Sequence, residues 1–163
     1  MFNHPTVSRF SGITRGEEPL VYNADYDYDY QIGKANIIQE GTDLNIIATG
    51  MGVYNAVQAA LQLEEKGYSV GVIDMHTIKP IDKEAIVTAA KKSGRIITVE
   101  DHNILGGLGS IVADVLMEAG VFAKLKKIGI PDTFVEFGYP EEIYPYYGMD
   151  AAGITKTALE SLK

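Results

Sequence analysis

The sequence predicts an α/β domain of three layers, with helices on both faces of a mostly parallel sheet of about five strands. Short apolar runs rich in β-branched residues alternate with segments whose apolar residues recur every three or four positions. The helical segments between the later runs are long enough for the crossovers that parallel strands require. Only a short turn separates the first two runs, which predicts one antiparallel strand at the edge of the sheet.

Five runs are predicted to be strands, because each is short, apolar and bounded by turn-forming residues. They are residues 34–39, 44–49, 69–74, 96–99 and 124–130. The first two are joined by residues 40–43, which contain Gly41 and favour a hairpin, and therefore direct antiparallel pairing of these two strands. The third is expected to run parallel to the second, because a helix separates them. The fifth is rich in lysine, and Pro131 ends it.

Five segments are predicted to be helices, because their apolar residues fall on one helical stripe. They are residues 53–66, 82–93, 108–119, 141–147 and 151–162. Asp82 and Asp150 are the expected N-caps of the second and fifth helices. Gly67 and Gly94 are the expected stops of the first and second, since glycine ends helices in a left-handed conformation.

Composition excludes several classes of protein. The 22 acidic and 14 basic residues give a formal net charge of −8, which disfavours nucleic acid as a partner. There is no cysteine, so the chain has no disulfide framework and no thiolate site. No window approaches the roughly 20 apolar residues of a membrane span, and no basic and apolar leader opens the sequence. We expect a cytoplasmic protein without a membrane partner.

The first 32 residues differ from the rest of the chain. Residues 26–30 (YDYDY) alternate tyrosine with aspartate, which in an extended segment places the two residue types on opposite faces. Such an arm is either a solvated linker or a segment that packs on a neighbouring chain or domain. The four tyrosines between Tyr22 and Tyr30 favour packing, because aromatic side chains bury large areas.

The stretch 95–110 is the centre of the predicted fold. Its buried strand delivers Glu100, Asp101 and His102 at the carboxyl end, and a turn rich in glycine follows. The glycines of this turn are Gly106, Gly107 and Gly109. A phosphate-binding loop is one interpretation, but the spacing differs from Gly-x-Gly-x-x-Gly and the neighbouring carboxylates repel phosphate. Tight packing of a helix on the sheet is favoured.

Two histidines invite a chemical role. His102 beside Asp101 would suit a proton carrier, but it has no partner nucleophile, so a hydrogen-bonded loop residue at an interface is favoured. His76 and Asp74 end another parallel strand, so strand order could place His76 near His102. These ligand types come from loops without the close spacing of metal sites, so no metal is predicted.

Several motifs follow one another in a fixed order. They are residues 43–50 (DLNIIATG), 72–82 (VIDMHTIKPID), 98–110 (TVEDHNILGGLGS), 128–134 (IGIPDTF) and 147–154 (YGMDAAGI). In order and spacing they resemble the C-terminal domain of transketolases and related thiamine-diphosphate enzymes. The resemblance covers nearly the whole chain, and the short or split transketolases are the most similar subset.

The resemblance also implies a division of the chain. Residues 5–12 (PTVSRFSG) resemble the last strand of the preceding pyrimidine-binding domain, and residues 26–34 resemble the linker that follows it. Residues 1–32 are therefore expected to be the end of that domain plus an extended arm. Residues 33–163 are expected to be the C-terminal domain, and the chain a fragment of a longer enzyme.

The resemblance implies that the complete enzyme transfers a two-carbon ketol unit between sugar phosphates with thiamine diphosphate and a divalent metal, Mg or Ca. The glutamate that polarises the cofactor and the Gly-Asp-Gly metal motif belong to preceding domains, so this chain is expected to hold no catalytic, cofactor or metal residue. Arg9 is the one substrate-phosphate candidate. A second arginine of relatives is replaced by Gly12, for which Arg15 could compensate.

The resemblance finally implies partners and alternatives. The expected partners are the upstream thiamine-binding domains or an N-terminal subunit, and a second copy, since the arm and four tyrosines near the end of the chain supply aromatic area. These are Tyr139, Tyr144, Tyr146 and Tyr147. A 2-oxoacid dehydrogenase beta subunit and a deoxyxylulose-phosphate synthase share this domain and are the enzyme alternatives. A non-catalytic interaction module is the alternative of another class.

Overall fold

Strands and helices alternate along the chain. The computed structural model describes residues 21–22, 30–135 and 137–163. The strands are β1 (Asn36–Gln39), β2 (Leu44–Ala48), β3 (Val70–Asp74), β4 (Arg95–Asn103) and β5 (Lys124–Ile130). The helices are α1 (Gly52–Glu64), α2 (Lys83–Ser93), α3 (Leu108–Glu118), α4 (Pro140–Tyr146) and α5 (Ala151–Leu162). The predicted α/β class is confirmed.

The five strands form one sheet in the order β1-β3-β2-β4-β5. The strands β2 to β5 are parallel, and β1 lies antiparallel to β3 at the edge. One mostly parallel sheet with an antiparallel edge strand was predicted, and it is confirmed. The residues of β2 and β3 are all buried, which accounts for their continuous apolar runs.

The predicted hairpin between β1 and β2 is wrong, because β3 lies between these two strands. Residues 40–43 cross β3 instead of turning tightly. At the crossing Gly41 meets Gly71, and a Cβ on Gly41 would overlap the backbone at residues 70 and 71. The backbone of Asp43 then donates to the carbonyl of Ser69 at 2.9 Å, which joins the starts of β2 and β3. The short length of the connection therefore reflects close packing of two glycines.

Two apolar clusters lie on opposite faces of the sheet. The first joins one face to α1 and α5 and includes Ile46, Val72 and Ile97. The second joins the other face to α2 and α3 and includes Ile47 and Ile73. Neighbouring residues of one strand thus enter different clusters, as strand alternation requires. Among the described residues, none of the helices combines the length and the apolar character needed to cross a bilayer.

Helix ends follow the predicted capping residues. The carboxylate of Asp82 accepts from the backbone of Ala85 at 3.1 Å, and that of Asp150 accepts from Gly153 at 2.9 Å. Gly94 ends α2 with φ of 65°. These side chains satisfy backbone groups that a helix end leaves without partners, so the caps position α2 and α5 on the sheet.

Candidate functional site

Strand β4 directs its charged residues to different sides of the sheet. Glu100 lies on the side of α3, and its carboxylate contacts the first turn of that helix. Asp101 lies on the opposite side, where its carboxylate approaches Gly50. The carboxyl ends of the parallel strands form the edge at which these residues sit, which is the edge that carries binding sites in α/β sheets.

Glu100 closes the N-terminus of α3. Its side chain is buried, with an exposed fraction of 2%. Its carboxylate accepts hydrogen bonds from the backbone of Leu108 at 2.6 Å and of Gly109 at 2.9 Å. The positive end of the helix dipole stabilises this negative charge. The amides that a phosphate would use are therefore bound to a carboxylate of the protein.

The glycines of the following turn have different reasons to be glycine. A Cβ on Gly107 would overlap the carboxylate of Glu100, and one on Gly109 would lie 2.6 Å from the hydroxyl of Thr98. Gly106 has open space around it but a φ of 78°, which favours glycine over other residues. The turn therefore needs close approach at Gly107 and Gly109 and a left-handed backbone at Gly106.

Asp101 and His102 form an exposed pair. The Nδ1 atom of His102 lies 2.8 Å from Oδ1 of Asp101, and the His102 side chain is largely exposed. The pair becomes an ion pair when the imidazole is protonated. Its position at the open edge of the sheet suits contact with another protein surface.

His76 does not join His102. It follows β3, and β2 separates β3 from β4. The His76 ring lies 4.6 Å from that of Tyr30, centroid to centroid, and its Nδ1 atom lies 2.8 Å from the hydroxyl of Thr77. Burial lowers the pKa of His76. Within residues 30–135 and the other described segments, no group of three or more His, Asp or Glu side chains is placed to hold a metal ion.

Tyr22 anchors the chain ahead of β1, a role that the sequence pattern did not indicate. Its hydroxyl donates to Oδ2 of Asp74 at 2.7 Å and accepts from the side-chain amide of Asn36 at 2.9 Å. Tyr22 is only 1% exposed. This part of the arm packs on the chain's own domain. Arg9, Arg15 and residues 23–29 of the arm lie outside the described residues.

A cavity of about 230 Å³ lies between β1 and α2. Apolar side chains such as Ile37 and Ile73 line it, and an ion pair of 2.6 Å joins Lys92 to Glu40, two of its lining residues. This lysine holds the pKa of Glu40 below its usual range. None of the residues predicted as site candidates lines this cavity.

Aromatic side chains after β5 divide into two sets. Tyr144 and Tyr147 pack against the first apolar cluster, whereas Tyr146 is largely exposed. Phe134 and Phe137 are fully exposed, and the sequence patterns did not single them out. The available signal was the close spacing of large apolar residues just after Pro131, where neither strand nor helix was predicted.

The chain matches a known family over most of its length. Residues 33–154 match the family described as transketolase, C-terminal domain. A solved structure, "Split gene transketolase, inactive beta4 tetramer", covers 88% of this chain at 35% identity with a TM-score of 0.80. This chain covers 46% of that structure.

Curated relatives agree with this match. One of the two subunits of an apulose-4-phosphate transketolase, from Phocaeicola vulgatus, is 51% identical over 151 residues, which are 93% of this chain and 47% of the relative. "Putative transketolase C-terminal section" of Methanocaldococcus jannaschii is 39% identical over 97% of this chain and 51% of the relative. The chain thus spans about half the length of these two relatives. It belongs to the transketolase C-terminal domain family.

Proposed function

We propose that this chain is the C-terminal part of a thiamine-diphosphate-dependent transketolase, which transfers a two-carbon ketol unit between sugar phosphates when complete. The observation that carries the proposal is the 51% identity, over 93% of the chain, to a subunit of an apulose-4-phosphate transketolase. In this proposal residues 1–32 are the end of a pyrimidine-binding domain and its linker. Residues 33–163 are the C-terminal domain, and residues 33–154 of these match the family.

The described residues do not fit thiamine diphosphate. The glycine-rich start of α3 offers backbone amides, but the buried carboxylate of Glu100 holds those of Leu108 and Gly109. A diphosphate there would meet a negative charge at hydrogen-bond distance from the same amides. We therefore assign thiamine diphosphate and its divalent metal, Mg or Ca, to other parts of the complete enzyme.

The role of this chain is to supply a rigid surface at the carboxyl ends of the strands. Glu100 ties β4 to α3 and so holds the intervening glycine turn in place. Asp101 and His102 are then presented to a partner rather than buried. We propose the upstream thiamine-binding domains or a separate N-terminal subunit as that partner, and Arg9 as a contact to substrate phosphate.

The test uses the complete protein with its thiamine-binding part, thiamine diphosphate and Mg²⁺. With a ketose phosphate donor and an aldose phosphate acceptor, we expect ketol transfer, measured as formation of the new ketose phosphate. The chain of residues 1–163 alone should neither catalyse transfer nor bind thiamine diphosphate in calorimetry. Stoichiometric cofactor binding by that chain would refute the division of labour proposed here.

A second candidate is a 1-deoxy-D-xylulose-5-phosphate synthase. The chain is 40% identical over 131 residues to such an enzyme of Trichormus variabilis, which covers 80% of this chain and 21% of the relative. Release of CO₂ from pyruvate in the presence of glyceraldehyde 3-phosphate would favour the synthase. Ketol transfer without pyruvate would favour the transketolase.

We also propose that two copies of this chain occur in the assembled enzyme. The related structure described as a tetramer supports self-association in this family. The exposed Tyr146 offers one aromatic side chain for such a contact. Light scattering of the complete protein should give at least a dimer, and a monomer at high concentration would contradict it.

A further inference from the structure

The segment after β5 presents apolar side chains to solvent. Phe134 and Phe137 have exposed fractions of 102% and 106%, and Val135 is exposed as well. We propose that these three residues, here called the Phe134/Phe137 surface, dock against a different polypeptide of the complete enzyme, which offers apolar pockets with a basic rim. The inference deepens the proposed function and rests on it, because it takes the enzyme to contain a separate thiamine-binding subunit.

The surface lies at the edge of the sheet where functional loops gather. It directly follows β5, and the loop after β4 is fastened beside it. The backbone of Ile104 donates to the carbonyl of Ile130 at 2.9 Å, and the side-chain amide of Asn103 donates to that of Pro131 at 3.4 Å. Leu105 in this loop is also exposed. Two neighbouring loops thus present apolar residues at the carboxyl ends of β4 and β5.

The exposed area is large enough to anchor a partner. Each phenylalanine can bury about 150–250 Å², so the two together supply about 400 Å². A stable interface buries about 800 Å² on each partner, and its binding energy concentrates in a few aromatic anchors. Exposed apolar patches of this size on soluble proteins usually mark sites of protein interaction.

The position of the surface favours a separate polypeptide over the preceding part of the same one. The chain enters the domain at Tyr22, whose hydroxyl bonds to Asp74 of β3 and Asn36 of β1. The surface follows β5, at the other edge of the sheet. Strands lie about 4.8 Å apart, so four strand spacings, or about 19 Å, separate β1 from β5. A separate polypeptide reaches this edge without a path back across the sheet.

Charge favours a basic partner over a second copy of this chain. Residues 131–150 contain five acidic residues and neither lysine nor arginine, and the whole chain has a formal net charge of −8. Asp132 and Glu141 are exposed on either side of the Phe134/Phe137 surface in the sequence. Like charges facing each other would oppose self-association here, whereas a basic rim would be attracted.

The main test measures binding of the complete protein to the purified thiamine-binding subunit of the same enzyme. We expect the double variant Phe134→Ser, Phe137→Ser to weaken this binding at least about 100-fold, since two aromatic anchors are lost. The matched control is Phe122→Ser, which removes an exposed phenylalanine ahead of β5 and should change the affinity less than about threefold. Thermal unfolding should be unchanged in both variants, because the removed side chains are exposed.

A charge reversal tests the basic rim. Asp132→Lys should slow association about tenfold at low salt and much less at about 0.5 M salt, because screening removes long-range attraction. Asp114→Lys, which reverses an exposed charge on α3, is the matched control and should leave the association rate within about twofold. An equal effect of both reversals would show that only net charge matters and would overturn the basic rim.

The outcomes separate this inference from the proposed function. If the double variant keeps both the affinity for the thiamine-binding partner and ketol transfer, the inference fails and the function stands. If the double variant instead breaks up an assembly of identical chains while the thiamine-binding partner still binds, the surface holds a second copy and the inference also fails. If the unaltered protein neither binds that partner nor transfers a ketol unit, the proposed function fails, and the inference falls with it.

Discussion

At the scale of single residues, adjacent acidic side chains have different environments. Glu100 is buried and bonded to two amides of α3, whereas Asp101 lies across the sheet beside the exposed His102. Alternation along β4 separates them, because successive side chains point to opposite faces. The pattern indicated that both lie at the end of a strand. Only the packing of α3 shows which carboxylate supports the fold and which faces solvent.

Glu100→Ala should lower the free energy of unfolding by about 2–4 kcal/mol, because two buried amides lose a charged acceptor. Asp101→Ala is the matched control from the same strand, and its effect should stay below about 1 kcal/mol. Urea denaturation followed by circular dichroism measures both. Equal effects of the two substitutions would contradict the role assigned to Glu100.

His76 makes stability depend on pH. Burial lowers its pKa below the value of about 6.5 that it has in the unfolded chain. The unfolded state therefore binds more protons as the pH falls below about 6.5, so this contribution to stability is present at about pH 7 and is lost in mild acid. Unfolding midpoints measured between about pH 7 and pH 5 should show this loss. His76→Gln should reduce it, and His102→Gln, at an exposed position, should not.

At the scale of elements, helix ends differ in how much structure depends on them. Asp82 caps α2 through one carboxylate oxygen, and its other oxygen accepts from the backbone of Ala35 at 3.0 Å, just before β1. Asp150 caps α5 through the backbone of Gly153. Both caps were predictable, because capping is local. The second bond of Asp82 was not, since it joins residues that lie 47 positions apart.

Asp82→Ala should therefore destabilise the chain more than Asp150→Ala. We expect about 2 kcal/mol for Asp82, which loses a cap and a bond to β1, and about 1 kcal/mol for Asp150, which loses a cap alone. Chemical denaturation of the two variants side by side measures the difference. If the two losses are equal, the bond between Asp82 and Ala35 adds nothing to stability.

At the scale of the whole molecule, the sheet order decides which parts of the chain meet. The placement of β3 between β1 and β2 brings Asp74 beside Asn36 and creates the buried site of Tyr22. A hairpin between β1 and β2 would have left Asp74 without these neighbours. The order also puts β5 at the edge away from Tyr22, so the point where the chain enters and the Phe134/Phe137 surface lie apart.

Tyr22→Phe tests the anchor. Removing the hydroxyl leaves the carboxylate of Asp74 with one partner fewer, so we expect a loss of about 1–3 kcal/mol in the free energy of unfolding. Cleavage by chymotrypsin ahead of residue 30 should become faster, because the anchor then opens more often. Tyr146→Phe, at an exposed position, is the control and should change neither measurement. Unchanged cleavage in Tyr22→Phe would show that its hydroxyl does not hold the arm.

The sequence by itself determined the α/β alternation, the bounds of most elements and their caps, because periodicity and capping depend on residues within one or two turns of each other. It also determined the family, since several ordered motifs span the chain. Only the tertiary structure decided that β1 pairs with β3, that Glu100 occupies the start of α3, that Tyr22 bonds to Asp74, and that Phe134 and Phe137 are exposed. Each of these depends on packing between segments far apart in the chain, for which local patterns carry no signal.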